Sequence, residues 1–276
     1  MDSQNQLAKQ FKGFLETPSL FEEIENFELF SISEKDTENF TDLSLQPIPN
    51  NLVLGKRVEL FFQEFVKHSK RYSMLAANLQ VIENKITLGE LDFLIKDIVD
   101  HKFIHVELVN KFYVYDPEIS GELKQWIGPN RRDTLLYKIS KLQKKQLPLL
   151  HNTSTKQYLE QLNLSPEKFI QQVCFLGKLF VPVNLYGTRF PEINNRCIVG
   201  YWLTLEAFKE RNEQKDVYYL PKKENWLTRP ENNNVWVSFE EALVPVEKSL
   251  QNKKSLMCWK KTAGGKPEQF FIVWWK

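Results

Sequence analysis

The chain has 276 residues, of which 42% are hydrophobic and 26% charged, a composition typical of a globular protein. These proportions exclude a disordered chain, a collagen-like chain and a disulfide-rich scaffold. The 37 basic and 35 acidic residues give a net charge of +2, so total charge does not indicate a nucleic-acid partner.

Cysteine spacing and hydropathy favour a cytoplasmic protein without membrane contact. The three cysteines, Cys174, Cys197 and Cys258, are far apart and lack CxxC or zinc-ligand spacing, so we expect reduced thiols. The N-terminal residues MDSQNQLAKQ are polar, unlike a signal peptide. No segment approaches the about 18 uninterrupted apolar residues of a membrane span.

Residues 1–50 are predicted to form an acidic N-terminal segment with one helix. The helical spacing is carried by Leu7, Phe11, Phe14 and Leu15. Pro18 closes this helix, and the rest of the segment, through FTDLSLQPIPNN, is predicted as turns and loop with Pro47 and Pro49 as its boundary. Ten acids and three lysines give the segment a net charge of −7. A polyanion would repel it, so we expect it to face away from a nucleic-acid substrate.

Residues 51–150 are predicted to form an α/β core. A helix from Val53 to about Leu75 precedes the strand-like segments NLQVIEN, KITLGELDFLI and KFIHVELVNKFYVY. The segment GPNRRDTLLYKISKLQKKQLPLL then has helical spacing and ends at Pro148. A helix followed by three strands and another helix favours an α/β core over a helical bundle.

Residues 151–276 are predicted to form a β-rich α/β extension or second domain. Short strands with one or two helical turns are expected in QQVCFLGKLFVPVNLYG, CIVGYWLTLEAF, VYYLPKK, VWVSFEEAL, SLMCWKK and QFFIVWWK. The terminal FFIVWWK favours an edge strand of the core over a stacking platform. Residues 248–266 hold six lysines and no acid. They predict either a surface loop or a basic hairpin that binds a nucleic-acid backbone.

The second and third strands of the core carry the candidate chemistry. Alternation places Glu90 and Asp92 on one face of the second strand. On the third strand His105, Glu107 and Lys111 share a face. Converging carboxylates repel unless a cation lies between them, and such oxygen ligands suit Mg²⁺ or Mn²⁺. The same alternation is also typical of an ordinary solvated strand face, so both interpretations stay open.

The segment GELDFLI…FIHVELVNKF resembles the GEIDLI…VFVEVKxR pattern of the Holliday-junction-resolvase-like branch of the PD-(D/E)XK nuclease superfamily. With LGKRVELFF, LAANLQV and WIGPNRRDTLLYK, it also resembles an uncharacterised bacterial family of unknown function often placed there. The resemblance implies a restriction-endonuclease-like core, with a mixed central sheet flanked by helices. It also implies Mg²⁺- or Mn²⁺-dependent hydrolysis of nucleic acid, with DNA the expected substrate, in repair, recombination or defence.

The resemblance assigns metal-binding roles residue by residue. Asp92 matches the first metal-binding acid of the superfamily, and Glu107 matches the second. Glu59, in the helix before the sheet, matches an acid that often completes the site. Glu90 matches the glutamate that precedes the first metal-binding acid in the motif.

The lysine of the superfamily motif is displaced in this chain. It belongs two residues after the second acid, where this chain has Val109. Lys111 lies four residues after Glu107, which is about 13 Å along a strand rather than about 7 Å. The catalytic cation is therefore expected from Lys111 or, alternatively, from Lys138 in the following helix.

The predicted helix after the sheet is basic. Residues 121–146 contain seven bases and two acids, a net charge of +5. Phosphate contacts supply most nonspecific affinity for nucleic acid. The predicted contacts are Arg131, Arg132, Lys141, Lys144 and Lys145. A solvated, salt-bridged face is the alternative. Gln146 is either an auxiliary site residue or an exposed one, and His105 is favoured as a polar wall of the site.

Two further classes of function are compatible with the sequence. A protein that kept the fold but lost catalysis, when Val109 took the lysine position, would bind nucleic acid or another protein. An α/β scaffold would bind a protein through its aromatic C-terminal half. The oligomeric state is open, and a homodimer is compatible with the sequence.

Overall fold

The computed structural model describes residues 3–37, 40, 45–49, 51–230 and 235–276, so part of the loop predicted over residues 40–50 lies outside the described residues. The described residues form a mixed α/β fold. Its α-helices are α1 Ser3–Leu15, α2 Glu34–Thr37, α3 Leu54–His68, α4 Leu135–Lys141, α5 Thr153–Gln161, α6 Leu205–Glu210 and α7 Phe239–Gln251. Its strands are β1 Glu28–Leu29, β2 Tyr72–Glu83, β3 Ile86–Asp97, β4 Lys102–Tyr115, β5 Trp126–Ile127, β6 Phe169–Pro182, β7 Ile198–Leu203, β8 Val217–Tyr219, β9 Leu256–Lys261 and β10 Glu268–Ile272.

The chain forms two compact units that alternate along the sequence. The first contains Met1–Leu15, Phe21–Asn110 and Tyr137–Leu176. The second contains Glu16–Leu20, Lys111–Leu136 and Gly177–Lys276. The division predicted from the sequence, with boundaries at residues 50 and 150, follows the chain in order and stays a prediction.

The first unit contains the predicted strands β2 and β3, and β4 as far as Asn110. Strands β2, β3 and β4 are joined by antiparallel pairing in that order, and β6 follows β4 in the sheet. Phe61, Phe62 and Phe65 form the buried apolar face of α3, and the ring of Phe62 lies 4.5 Å from that of Phe93. This packing explains why the apolar residues of α3 recur at helical spacing.

Helix α3 ends at His68, so its predicted continuation to Leu75 is wrong. The backbone N–H of Ser69 donates to the Phe65 carbonyl, and Ser69 itself is extended. From Tyr72 onward the chain pairs with β3 as strand β2. Cross-strand hydrogen bonds therefore override the apolar spacing that favoured a longer helix.

The basic helix begins later than predicted. Arg131 has φ 56°, and its N–H donates to the Gly128 carbonyl in a turn before α4. Arg131 and Arg132 are therefore not helical, which corrects the predicted helix over GPNRRDTLLYK. After α4 the chain continues as a π-helix, Leu142–Gln146, and then as a 3₁₀-helix, Leu147–His151.

The second unit contains the C-terminal strands. Strand β7 pairs in parallel with β6 and β10, whereas β9 pairs antiparallel with β10 and β8. Strand β10 therefore lies between two neighbours, and the predicted edge strand at FFIVWWK is wrong. In VWVSFEEAL, predicted as a short strand with one or two helical turns, Val237 forms an isolated bridge with Tyr218 and α7 begins at Phe239. Ser238 and Glu241 form a capping box, which fixes that helix start.

Candidate functional site

Two carboxylates lie where the hydrogen-bonded register between β3 and β4 ends. The last paired residues are Phe93 and Val106. The next positions are Asp92 and Glu107, and opposite residues of an antiparallel pair lie on the same face. Asp92 Oδ2 instead accepts the backbone N–H of Leu108 at 2.9 Å. Asp92 and Glu107 are therefore the first residues beyond the paired register, and the Asp92 carboxylate bonds to the backbone of β4.

Glu107 is fully buried, and both of its oxygens accept hydrogen bonds. His105 Nε2 lies 3.1 Å from Oε1, and Gln146 Nε2 donates to Oε2. Gln171 Nε2 lies 3.0 Å from His105 Nδ1 and also donates to the Leu147 carbonyl. Because the Gln171 amide donates to Nδ1, the imidazole proton is on Nε2, where it donates to Glu107.

The π-helix brings Lys138 to this network. Lys138 Nζ donates to Gln146 Oε1 at 2.8 Å. In a continuous α-helix, residues eight apart lie about 80° apart around the axis. The extra residue in the π turn of Leu142–Gln146 brings Gln146 nearly into line with Lys138. The side-chain amide of Gln146 therefore links the Lys138 ammonium group to the Glu107 carboxylate through two hydrogen bonds.

Burial perturbs the titration of all three groups in this cluster. Burial, and then the charge of Glu107, raises the pKa of Asp92 to about 7. Burial also raises the pKa of Glu107 to about 7, against the opposing effect of Lys138. Burial lowers the pKa of His105 to about 4, so the imidazole is neutral at pH 7. The two carboxylates repel each other, and a cation between them would relieve that repulsion.

Glu59 and Glu90 each form an ion pair with Lys56. Lys56 Nζ lies 2.7 Å from Glu59 Oε2 and 3.4 Å from Glu90 Oε1. Asn78 Nδ2 also donates to Glu59 Oε2 at 2.9 Å. The charge of Glu59 contributes to the raised pKa of Asp92, so Glu59 is close enough to act on the site. The side chains of Glu59 and Glu90 are partly exposed to solvent.

Lys111, the lysine on β4 that was expected in the site, forms an ion pair with Asp133 instead. Lys111 Nζ lies 2.7 Å from Asp133 Oδ2, and both residues belong to the second unit. Val109, where the resemblance in the sequence led us to expect a lysine, is buried and apolar. Of the two alternatives from the sequence, Lys138 is the one connected to the carboxylate network.

The predicted nucleic-acid contacts fall into two groups. Arg131 forms an ion pair with the buried Asp116 at 2.8 Å and lies over the Trp275 ring, so it contributes to the packing of the second unit. Arg132 is exposed in the same turn. The other three contacts are exposed and, among the residues that the structure describes, form no ion pair: Lys141, Lys144 and Lys145. Within the described residues, the three lysines are therefore solvated without an ion pair, whereas Arg131 is ion-paired, so nucleic-acid contact and a solvated face both stay open.

The donor set fits a hard divalent cation held by two protein carboxylates. Asp92 Oδ1 has no hydrogen-bond partner among the described residues. Within the same residues, no group of three or more His, Cys, Asp or Glu side chains is placed to hold a metal ion. Mg²⁺ is commonly bound by one or two carboxylates with water and substrate phosphate. Asp92 and Glu107 meet that requirement, whereas a three-acid site that includes Glu59 is not formed.

Three residues of the cluster were given no role from the sequence. Gln171 lies on β6, Asn78 lies on β2, and Lys56 is exposed in the first turn of α3. Asn78 has φ 53°, a left-handed conformation that asparagine tolerates better than most residues. The asparagine within this apolar strand segment was therefore the one feature of the sequence that could have indicated a residue of the site. The contacts of Gln171 and Lys56 depend on tertiary packing.

Sequence comparison places the chain in a protein family. A family described as "Domain of unknown function (DUF1853)" matches residues 9–273. Neither curated proteins nor solved structures gave a match. Among the described residues, no helix has the length and apolar character needed to cross a membrane.

Proposed function

The chain belongs to the DUF1853 family, and we propose that it is a metal-dependent nuclease with a PD-(D/E)XK-like core in its first unit. The observation that carries this proposal is the buried pair Asp92 and Glu107, whose pKa values are both raised to about 7. Perturbed carboxylates beside a lysine are typical of functional sites. DNA is the proposed substrate.

Asp92 and Glu107 would hold Mg²⁺ or Mn²⁺, which when bound supplies positive charge that activates water and neutralises a phosphate oxygen. Gln146 and His105 orient the Glu107 carboxylate through hydrogen bonds to its two oxygens. Lys138 adds positive charge where the phosphate gains negative charge. Its side chain takes the role that the superfamily lysine would have at position 109.

Metal-dependent stabilisation tests this proposal most directly. A cation that binds the native carboxylates raises stability by about 2.7 kcal/mol at 100 times its dissociation constant. We expect Mg²⁺ and Mn²⁺ to raise the melting temperature of the protein relative to EDTA, and both ions to support cleavage of labelled DNA. Absence of a thermal shift and of cleavage with either ion would contradict the proposal.

A nucleic-acid-binding protein without catalysis is the second candidate function. It is favoured by the buried Val109 at the lysine position and by the hydrogen bonds that occupy both oxygens of Glu107. This candidate predicts metal-dependent stabilisation without cleavage of single-stranded, duplex or branched DNA. Cleavage that requires Asp92 would exclude it.

The unpaired lysines predict a salt-dependent interaction with nucleic acid. In the double variant Lys141→Glu/Lys145→Glu we expect weaker DNA binding and a flatter dependence of log K on log salt concentration. Each lost phosphate contact changes that slope by about 0.7 to 0.9. The matched control is Lys67→Glu/Lys209→Glu, which changes two exposed lysines that already form ion pairs. Fluorescence anisotropy titrations at several salt concentrations measure both slopes. Equal slopes for the two double variants would contradict a role for this face.

A further inference from the structure

An exposed tyrosine lies at the start of the helical segment that carries the unpaired lysines. The Tyr137 side chain is 64% exposed, and the preceding Leu136 is 37% exposed. Large apolar surface of this kind is normally buried in a helix that packs on a core. The buried residues of α4 are instead Leu135 and Ile139, on its other side. The tyrosine therefore does not contribute its full apolar area to the fold.

The π turn places two of the lysines in line with this tyrosine. Lys141 follows Tyr137 by four residues, which is about one α-helical turn. The π-helix Leu142–Gln146 adds one residue to the next turn, so Lys145 occupies the place that residue 144 would have in a continuous α-helix. We call Tyr137, Lys141 and Lys145 the helix stripe. It is one aromatic ring followed by two cations at one-turn intervals.

The helix stripe has no acidic neighbour along its own segment. Residues 134–151 contain no Asp or Glu. Among the described residues, neither Lys141 nor Lys145 forms an ion pair. Lys141 also contributes to the electrostatic environment of Glu107, so the stripe is close to the carboxylate site. Two exposed lysines without an ion pair among the described residues, together with one exposed ring, suit an anion that also has flat apolar surfaces.

We infer that the helix stripe binds single-stranded nucleic acid, with a base stacked on Tyr137 and phosphates beside Lys141 and Lys145. This inference rests on the proposed function and names its substrate class. A base inside a duplex has both faces covered by its neighbours, so an aromatic ring stacks on an unpaired base or a strand end. Lys138, the residue after Tyr137, contacts Gln146, which in turn contacts Glu107. A strand bound along the stripe therefore lies near the carboxylates.

Binding measured without metal tests this inference separately from cleavage. The probe is a fluorescein-labelled oligothymidylate of about 20 nucleotides, titrated with the full-length protein in EDTA. Stacking contributes about 1–3 kcal/mol per base, so Tyr137→Ala should weaken binding by about 5- to 150-fold. Tyr137→Phe keeps the ring and should bind like wild type. The matched control Tyr186→Ala removes a tyrosine that is 53% exposed in the second unit, and its affinity should not change.

A blunt duplex of the same length completes the experiment, and its affinity should change by less than about twofold in Tyr137→Ala. Wild-type affinity of Tyr137→Ala for the oligothymidylate would overturn the inference, even if the wild-type protein cleaves DNA. An equal loss for the duplex and the single strand would also overturn it, since stacking would then not explain the loss. Ring-dependent binding without metal-dependent cleavage would support the stripe while the proposed nuclease function fails.

Discussion

Asp92→Asn is expected to abolish metal-dependent cleavage and, in EDTA at pH 8, to raise the melting temperature of the protein. Asparagine keeps an oxygen for the Leu108 N–H but removes the charge that repels Glu107. The metal-free protein therefore loses an unfavourable interaction, while the site loses a ligand. About 1 kcal/mol corresponds to about 2–4 °C in a protein of this size class, so a shift of several degrees is expected.

The pH dependence of this stabilisation has a definite sign. The folded-state pKa of Asp92 is about 7, against an ordinary value of 3.8 for an aspartate. Between these values the folded state binds more protons than the unfolded state, so the stability from this group decreases as pH rises. It is fully present below the unfolded pKa and lost as pH passes through about 7. Melting temperatures at pH 5 and pH 8 should therefore differ less in Asp92→Asn than in wild type.

Glu107→Gln is the informative comparison, because its carboxylate has different partners. Glu107 accepts from Gln146 and from His105, so a glutamine amide would place its own donor against one of them. An unmatched buried donor costs about 1–3 kcal/mol. We expect Glu107→Gln to lose cleavage and to melt lower, whereas Asp92→Asn melts higher. A lower melting temperature for Asp92→Asn at pH 8 would instead identify Asp92 as a structural acid.

The sequence predicted the strand face of this site because strand geometry is local. Side chains two residues apart lie on one face of a strand, so alternation placed Asp92 with Glu90 and Glu107 with His105, and the order of the strands suggested that the two faces adjoin. The same rule placed Lys111 on the face of Glu107. It could not show that Asp133 would form an ion pair with Lys111, because Asp133 comes from a turn whose path depends on tertiary structure.

The helical segments were predicted less well where local signals competed. The apolar spacing after His68 favoured a longer helix, although pairing with β3 decides the conformation of Tyr72. In VWVSFEEAL the expected short strand with one or two helical turns left the helix start open, although Ser238 and Glu241 carry the S-x-x-E pattern of a helix start. The π turn that joins Lys138 to Gln146 has no comparable signature, since an added residue in a helix is set by packing.

Lys138→Met should reduce cleavage by about 10²- to 10³-fold, the usual cost of removing one group that stabilises developing negative charge. Metal-dependent stabilisation should persist, because Asp92 and Glu107 remain. Lys138→Arg, which retains the positive charge, should recover part of the activity. Single-turnover cleavage rates and thermal shifts with Mn²⁺ measure these two effects separately.

Lys111→Met provides the contrast between the two lysines. Lys111 and Asp133 form a partly exposed ion pair, so its loss should change the stability by less than about 1 kcal/mol. Cleavage should fall far less than in Lys138→Met, because Lys111 Nζ is bound to Asp133 and has no contact with Glu107 among the described residues. A larger loss in Lys111→Met would show that the strand lysine acts in catalysis despite its displacement. The ratio of the two rates therefore determines whether this chain uses the strand position or the helix position for its cation.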